Sequence, residues 1–218
     1  MSNNTTRPLD LIIFGATRNT GFHAMQQALA AGHRVTAVIR DPSTFQHRHD
    51  SLTIVKGDAT QVSTFMNEMH GKDAVISSLG ATDGTKPTTL CSDGVSNMLL
   101  AMQAAGVKRI ICVSASAIEL NGQMNFFIRT ASRVLQRILK YPYEDLRIME
   151  RILARSDRDW TVVRPPRLKD NPVTGRYRVS AGGHLKAGYS IGRQDLAHYI
   201  LHHLTDAGTF GKIVEVAY

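Results

Sequence analysis

The stretch 9–21, Leu-Asp-Leu-Ile-Ile-Phe-Gly-Ala-Thr-Arg-Asn-Thr-Gly, joins a continuous apolar run to a turn bounded by two glycines. The run from Leu11 to Phe14 is typical of a strand that is covered on both faces in a parallel sheet. Gly15 and Gly21 bracket the turn, and a helical pattern begins near Thr20. Such a turn directs free backbone N–H groups, with the helix dipole behind them, at one point. The stretch therefore predicts a site for a phosphate or pyrophosphate group.

The middle of this turn carries arginine where the dinucleotide-binding fingerprint has glycine, because the spacing here is Gly15-x-x-Arg18-x-x-Gly21. A second predicted strand, 34–39, ends at Arg40. At that place an acidic residue holds the 2′-hydroxyl of a ribose, whereas arginine accommodates a 2′-phosphate. Arg18 and Arg40 together therefore favour NADP over NAD. The alternative is a tight turn without a ligand and two solvated surface arginines.

Strand and helix patterns alternate along the whole chain. We expect further strands at 52–55, 73–78, 108–113, 160–164 and 212–217, and an extended piece at 176–180. We expect helices at 20–31, 61–70, 88–105, 125–141, 143–155 and 191–204, with a break at Pro142. This alternation predicts an α/β fold, a doubly wound (Rossmann) parallel sheet of about seven strands flanked by helices.

Length and composition predict a single domain. The 218 residues suffice for one core, which we place at 9–218, with a flexible tail at 1–8 and small substrate-side elements at about 165–192. No apolar run approaches the ~20 residues of a membrane helix, and the first residues contain no apolar signal region. Cys91 and Cys112 form neither a disulfide framework nor a metal-ligand spacing. We therefore expect a cytoplasmic protein without a membrane contact or a metal site.

Further segments support a specific resemblance. They are Val-Ile-Arg-Asp at 38–41, Gly-Asp at 57–58, Asp-Ala-Val-Ile-Ser-Ser-Leu-Gly at 73–80, Pro-Thr-Thr-Leu-Cys-Ser-Asp-Gly at 87–94, Arg-Pro-Pro at 164–166 and Asn-Pro-Val-Thr-Gly-Arg-Tyr at 171–177. With the turn at 15–21, these segments resemble the extended and atypical short-chain dehydrogenase/reductases that bind NAD(P). Within that superfamily the chain is most similar to the flavin reductase (NADPH)/biliverdin-IXβ reductase group.

The resemblance implies a role for each matching position. The pyrophosphate side would be held by Gly15, Thr17, Arg18, Asn19, Thr20 and Gly21, and the 2′-phosphate by Arg40 and Ser43. Asp58 and Ala59 would border the adenine, Leu79 and Gly80 the ribose, and Ser92 would lie near the substrate. Val113, Ser114, Ser116, Pro165, Pro166 and Arg167 would face the nicotinamide. The implied coenzyme is NADP, with NADPH preferred over NADH.

The chain departs from the related families at three places. Arg18 stands where the flavin and biliverdin reductases have glycine, although many short-chain reductases that prefer NADPH carry arginine there. The Tyr-x-x-x-Lys pair of alcohol dehydrogenation is missing, since Tyr143 and Arg147 have its spacing but follow Pro142. Arg167 stands where the flavin and biliverdin reductases have histidine, and an arginine donates hydrogen bonds rather than protons.

The missing tyrosine–lysine pair argues against ordinary carbonyl reduction, which requires a positioned general acid. A flavin (FMN or riboflavin) or a biliverdin-like tetrapyrrole needs mainly positioning. We therefore predict an NADPH-dependent reductase of an anionic, conjugated small-molecule acceptor, with Arg167 and Lys169 attracting its phosphate or propionates. Ser114 or Ser116 would bond the nicotinamide carboxamide or the acceptor. The alternative for these hydroxyls is that they cap a strand end.

Two other functions stay open. The net charge of +8 and the arginines at 129, 133 and 137 suit a redox sensor of the nitrogen-metabolite-repressor (NmrA-like) type, which binds NADP(H) without turnover. The alternative is a solvated helix face, and we expect no nucleic-acid partner. An isomerase or epimerase is disfavoured by the absent tyrosine. His198 and His202 have the spacing of a metal pair but no completing carboxylate. We expect a monomer or a homodimer.

Overall fold

The computed structural model describes residues 7–81, 83–119 and 133–218. The first half contains β1 (Asp10–Phe14), α1 (Asn19–Ala30), β2 (Arg34–Ile39), β3 (Leu52–Lys56), β4 (Ala74–Ser77), α2 (Leu90–Ala105) and β5 (Arg109–Val113). The second half contains α3 (Lys140–Ala154), β6 (Asp159–Arg164), β7 (Arg167–Lys169), β8 (Arg178–Ala181), β9 (Ser190–Gly192), α4 (Arg193–His202) and β10 (Lys212–Ala217). The alternation of strands and helices that the sequence predicts is therefore present.

The main sheet has the strand order β3-β2-β1-β4-β5-β6-β10-β8. Seven strands run parallel, and β8 pairs antiparallel to β10 at one edge. The chain order reverses between β1 and β4, and ligands of open parallel sheets bind at the carboxyl ends of the strands beside such a reversal. β7 and β9 form a separate parallel pair. The predicted Rossmann sheet is confirmed, and its eighth strand is the extended piece expected at 176–180.

The core lies in two layers, one on each face of the sheet. In β1, Leu11 and Ile13 pack with Met25 of α1 and Leu196 of α4. The alternating residues of β1, Ile12 and Phe14, pack on the other face with side chains of α2 and α3. These four side chains of β1 are almost fully buried. This explains the unbroken apolar run, because a central parallel strand has no solvent-facing side.

The helix predicted at 61–70 is wrong. The segment forms two short 3-10 turns, Val62–Thr64 and Asn67–Met69. The Thr64 hydroxyl accepts the backbone N–H of Asp58 at 2.9 Å and lies 2.7 Å from the carbonyl of Gln61, to which it donates. A threonine side chain that bonds nearby backbone groups in this way competes with helical hydrogen bonds. Phe65 and Met69 are buried nonetheless, so the apolar spacing reflected packing and not a helix.

The break predicted at Pro142 is also wrong. Pro142 is the third residue of α3, which begins at Lys140 and continues to Ala154. Proline is tolerated in the first turn of a helix because the N–H groups there have no intrahelical partner. Tyr143 and Arg147 consequently lie on successive turns of one unbroken helix. The predicted helix at 125–141 falls partly outside the described residues, as does Arg129, whereas residues 133–138 are helical.

The amino-terminal edge of the sheet is held by polar contacts. Arg7 pairs with Asp73 at 2.5 Å, and Arg34 pairs with Asp10 on the neighbouring strand. Residues 1–6 of the predicted tail lie outside the described range. Among the described helices, none has both the length and the apolar character that crossing a membrane requires.

His33 makes stability depend on pH. Its Nδ1 accepts the backbone N–H of Leu9 at 3.1 Å, an arrangement that requires a neutral ring. Burial lowers the pKa of His33 below its ordinary value of about 6.5, against the opposing charge of Asp73. The unfolded chain therefore binds this proton more readily, and stability that is present above pH ~6.5 is lost as the pH falls. We expect the urea midpoint to fall between pH 7 and pH 5.

The variant His33→Asn tests this expectation, since an amide oxygen can replace Nδ1 as the acceptor without titrating. It should reduce the pH dependence of the urea midpoint. The exposed His70 supplies the control, and His70→Asn should leave the dependence as it is in the unsubstituted protein. An unchanged pH dependence in His33→Asn would contradict the assignment.

Candidate functional site

The turn between β1 and α1 is built on two glycines that accept no side chain. Gly15 has a φ of +81°, and a Cβ there would lie 2.5 Å from the carbonyl oxygen of Ser78. A Cβ on Gly21 would lie 2.2 Å from the carbonyl oxygen of Gly15. These contacts bring the start of α1 directly against the ends of β1 and β4. The first N–H groups of α1 therefore reach the sheet edge at the strand reversal.

A cavity of about 930 Å³ opens above this turn and the ends of β1, β2 and β4. Most residues that the sequence assigned to cofactor binding lie on its wall. They are Gly15, Thr17, Arg18, Asn19, Arg40, Asp58, Ala59, Leu79 and Gly80. A volume near the upper end of small-ligand sites suits a molecule as long as a dinucleotide.

Arg18 and Arg40 both lie on the wall of the larger cavity, and both are exposed to solvent. The carboxylate of Asp58 accepts the N–H and the hydroxyl of Thr60, and these bonds together with the charge of Arg40 lower the pKa of Asp58. The Asp41 carboxylate is likewise engaged by the N–H and hydroxyl of Ser43. The acidic neighbours therefore have local donors, and both arginines lie on the cavity wall.

A smaller cavity of about 220 Å³ continues from the larger one. The two share the wall residues Asn19, Ser78, Leu79, Gly80 and Ala81. Val113 and Ser114, which were assigned to the nicotinamide, line the smaller cavity, and so does Thr20, which was assigned to the pyrophosphate side. The Thr20 hydroxyl is buried and has no hydrogen-bond partner among the described residues. A buried polar atom normally has a partner, so this hydroxyl and the glycine turn together fit a phosphate-bearing dinucleotide.

One carboxylate fastens the wall of the smaller cavity. Asp145 of α3 accepts the backbone N–H groups of Cys91 and Ser92, at 2.8 and 2.9 Å, in the first turn of α2. Asp145 is 2% exposed, so its two bonds form away from bulk water. Burial and the neighbouring charge of Asp145 raise the pKa of the Cys91 thiol well above its ordinary value. Cys91 is consequently a neutral wall residue rather than a nucleophile.

Ser114 lies in a buried polar network behind the smaller cavity. Its Oγ is 2.6 Å from Oε1 of Glu150, a residue of α3. Glu150 in turn accepts two hydrogen bonds from Arg164 at the end of β6, at 2.9 and 2.5 Å. Arg164 also donates to Glu119 at 2.6 Å. The network joins the ends of β5 and β6 to α3.

Several assigned residues lie outside both cavities. They are Gly21, Ser43, Ser92, Ser116, Pro165, Pro166 and Arg167. The Ser43 hydroxyl donates to Asp41, and Thr44 occupies the cavity wall in its place. Ser92 is buried beneath the wall that Cys91 forms, and Ser116 donates its backbone N–H to Pro165 at 2.9 Å. Arg167 is exposed, and its neighbour Leu168 lines the smaller cavity.

The contribution of α3 to the site was not predicted from the sequence. Pro142, Asp145 and Leu146 line the smaller cavity, and Glu150 holds Ser114. A signal was available, because Asp145 is four residues before the buried Met149 and so lies on the apolar face of the helix. A carboxylate on such a face needs a buried partner. The assumed break at Pro142 concealed it.

The histidine pair of α4 forms no metal centre in the part of the chain that is described. The rings of His198 and His202 are stacked with centroids 3.8 Å apart, and Nδ1 of His198 lies 2.8 Å from the hydroxyl of Tyr177. No group of three or more potential ligands occurs among the described residues.

A family model described as NAD(P)H-binding matches residues 15–207, which include the glycine turn and nearly all of both cavity walls. The chain belongs to this NAD(P)H-binding family. The reductase PytE from Aspergillus terreus is 25% identical, over 95% of this chain and 97% of that protein. The NAD(P)-binding family that the sequence resembles is thereby confirmed.

Solved structures repeat the fold. A wide-type short-chain dehydrogenase/reductase from Veillonella parvula, in complex with NADP, has a TM-score of 0.80 at 14% identity, covering 97% of this chain and 95% of that one. ChuY, an anaerobillin reductase from Escherichia coli O157:H7, has a TM-score of 0.71 at 18% identity, covering 95% and 96%. At these identities the likeness establishes the shared architecture alone.

Proposed function

We propose that this protein is an NADPH-dependent reductase whose acceptor is a conjugated molecule such as a flavin or a linear tetrapyrrole. The supporting observation is the composition of the smaller cavity. Among its described wall residues the only titratable groups are Cys91 and Asp145. The thiol has a raised pKa, and both oxygens of the carboxylate are bonded to backbone N–H groups. An acceptor that takes its proton from solvent suits a wall without a free general acid.

The coenzyme end of the proposal depends on charge and on the glycine turn. The N–H groups at the start of α1 and the unpartnered Thr20 hydroxyl would hold the pyrophosphate side. Arg18 and Arg40 would bind the 2′-phosphate, which NADPH has and NADH lacks. The bound coenzyme supplies the hydride. The chain contributes binding, orientation and exclusion of water.

The acceptor end of the proposal depends on the apolar residues of the smaller cavity. Val113, Leu146 and Leu168 line the smaller cavity and would exclude water from the face of a conjugated ring. Arg167 and Lys169 of β7 are exposed on either side of Leu168. In the proposal they attract the phosphate of FMN or the propionates of a tetrapyrrole. PytE, which is 25% identical, is described as a reductase, and ChuY, a structural neighbour, as an anaerobillin reductase, so reductases occur among the proteins that this chain resembles.

The direct experiment mixes the purified protein with NADPH and a panel of acceptors and follows the absorbance of the reduced coenzyme. We expect turnover with FMN, riboflavin or biliverdin, and none with simple aldehydes and ketones, which need a general acid. The variant Arg167→Ala should slow the reduction of FMN more than the reduction of riboflavin, because only FMN carries a phosphate. Riboflavin is therefore the matched control.

Two results would contradict the proposed reductase. Tight binding of NADPH with no turnover across the panel would favour the sensor that responds to NADP(H). Turnover of simple carbonyl compounds alone would indicate an ordinary carbonyl reductase.

A further inference from the structure

The orientation of the Ser114 hydroxyl is set by its contact with Glu150 of α3. Ser114 follows the last residue of β5, is 7% exposed and lines the smaller cavity. The distance from its Oγ to Oε1 of Glu150 is 2.6 Å, which is typical of an O–H bonded to a carboxylate. Its backbone N–H donates to the carbonyl of Val163 at 2.8 Å, which fixes the main chain at the same point.

Glu150 can act only as an acceptor in this position. Both of its oxygens accept from Arg164, through Nε at 2.9 Å and Nη2 at 2.5 Å. Burial alone would lower the pKa of Arg164, but the bonds to Glu150 and Glu119 raise it above its ordinary value. The guanidinium therefore stays protonated, and a carboxylate in two-point contact with it has no proton to give. The hydrogen of the Ser114 hydroxyl consequently lies in the bond to Glu150.

We infer that Glu150 fixes Ser114 as a hydrogen-bond acceptor toward the smaller cavity, so that Ser114 selects a ligand presenting an N–H donor there. Glu150 acts as a positioning residue, since it reaches the ligand only through Ser114. The inference rests on the proposed function in one respect, namely that a dinucleotide and its acceptor share the cavities. Two sources supply the same N–H chemistry: the carboxamide of the nicotinamide, and an imide or lactam N–H of the acceptor.

The orientation of Ser114 has a measurable cost for the wrong ligand. A carbonyl oxygen placed against Ser114 meets a lone pair instead of a hydrogen, so it forms no hydrogen bond with the serine. Sites built to bond one polar group discriminate strongly against analogues that lack it. We expect a difference of about tenfold in affinity, which corresponds to one hydrogen bond.

The first arm of the test measures the Kd of three oxidised coenzymes by calorimetry, for the unsubstituted protein and for Ser114→Ala. The coenzymes are NADP⁺, its thionicotinamide analogue, which keeps the NH₂ group, and its 3-acetylpyridine analogue, which has a methyl group instead. If the carboxamide is the donor, Ser114→Ala weakens the binding of NADP⁺ and of the thionicotinamide analogue about tenfold. It leaves the Kd of the 3-acetylpyridine analogue unchanged.

The second arm measures acceptor binding in the presence of NADP⁺, using a flavin and its N3-methyl derivative. If the acceptor is the donor, Ser114→Ala weakens the flavin and leaves the N3-methyl derivative unchanged. The inference is overturned if the substitution shifts donor-bearing and donor-lacking ligands equally in both arms, or shifts none of them.

A variant of Glu150 tests the positioning role. Glu150→Ala removes the carboxylate that accepts from Ser114 and so frees the serine hydrogen to face the cavity. It should reduce the preference for NH₂-bearing ligands, whereas Glu144→Ala on the exposed side of the same helix should not. Unchanged discrimination in a folded Glu150→Ala protein would overturn the role of Glu150. If that variant does not fold, the Ser114→Ala arms decide the question.

These measurements separate the inference from the proposed function, because both arms read binding. A protein that binds NADP⁺ with the expected Ser114 dependence but never oxidises NADPH would contradict the reductase and retain the inference. Oxidation of NADPH together with ligand binding that does not depend on Ser114 would support the reductase and contradict the inference.

Discussion

Replacing both Arg18 and Arg40 by alanine is expected to weaken NADPH binding about 100-fold and to leave NADH binding within about twofold. Both arginines line the larger cavity, and the 2′-phosphate is the only group that distinguishes the two coenzymes. Because the arginines are exposed, solvent reduces the contribution of each to about tenfold. The measurement is calorimetric titration of each coenzyme at two salt concentrations.

The control for net charge is Lys108→Ala. Lys108 is an exposed cation beside Asp157, near the amino end of β5 and so at the opposite edge of the sheet from the cavities. The variant Lys108→Ala should leave the affinities for NADPH and NADH unchanged. Added salt should weaken NADPH more than NADH in the unsubstituted protein, and this difference should vanish in the double variant. Equal affinity of the unsubstituted protein for the two coenzymes would refute the assignment of the arginines.

Replacing Asp145 by alanine is expected to lower the free energy of unfolding by about 3 kcal/mol. The substitution removes two hydrogen bonds to a buried carboxylate and leaves the N–H groups of Cys91 and Ser92 without a protein partner. Each bond of this kind contributes about 1.5–3 kcal/mol, and water entering from the smaller cavity offsets part of the loss. Urea unfolding measures the change.

The exposed neighbour Glu144 provides the matched control, because Glu144→Ala alters the same helix without a buried contact. It should change the free energy of unfolding by less than about 0.5 kcal/mol. Asp145→Asn should lower the free energy of unfolding by an amount between those of Glu144→Ala and Asp145→Ala, since its amide oxygen can still accept one N–H. A loss below about 1 kcal/mol in Asp145→Ala would show that Asp145 does not hold α2 to α3.

The sequence was most informative where a single local rule decides the structure. The apolar run of β1 and the two glycines of the turn predict the strand, the helix and the phosphate site, because each depends on neighbouring residues only. The apolar spacing of Phe65 and Met69 misled, since it is compatible with a helix and equally with 3-10 turns packed on α2. The spacing of apolar residues therefore predicts which side chains are buried more reliably than it predicts the type of secondary structure.

The remaining parts of the site depend on contacts between distant segments. Ser114 and Glu150 are 36 positions apart, and Cys91 and Asp145 are 54 apart. Nothing local to Ser114 reveals that a carboxylate lies behind it. The proline of α3 illustrates the same limit, because its effect depends on whether it falls in the first turn or the interior of a helix. That position is fixed by packing of α3 on α2.

The carboxylate of Asp145 has a further consequence for how a long anionic molecule lies in the groove. The amino ends of α1 and α2 both reach the cavities, and each carries the positive end of a helix dipole. Asp145 already neutralises the positive end of α2, so of these two helices it is α1 that offers a positive end to a diphosphate. We therefore expect a dinucleotide to bind in one direction, with its diphosphate at the amino end of α1 and its nicotinamide ring at the smaller cavity.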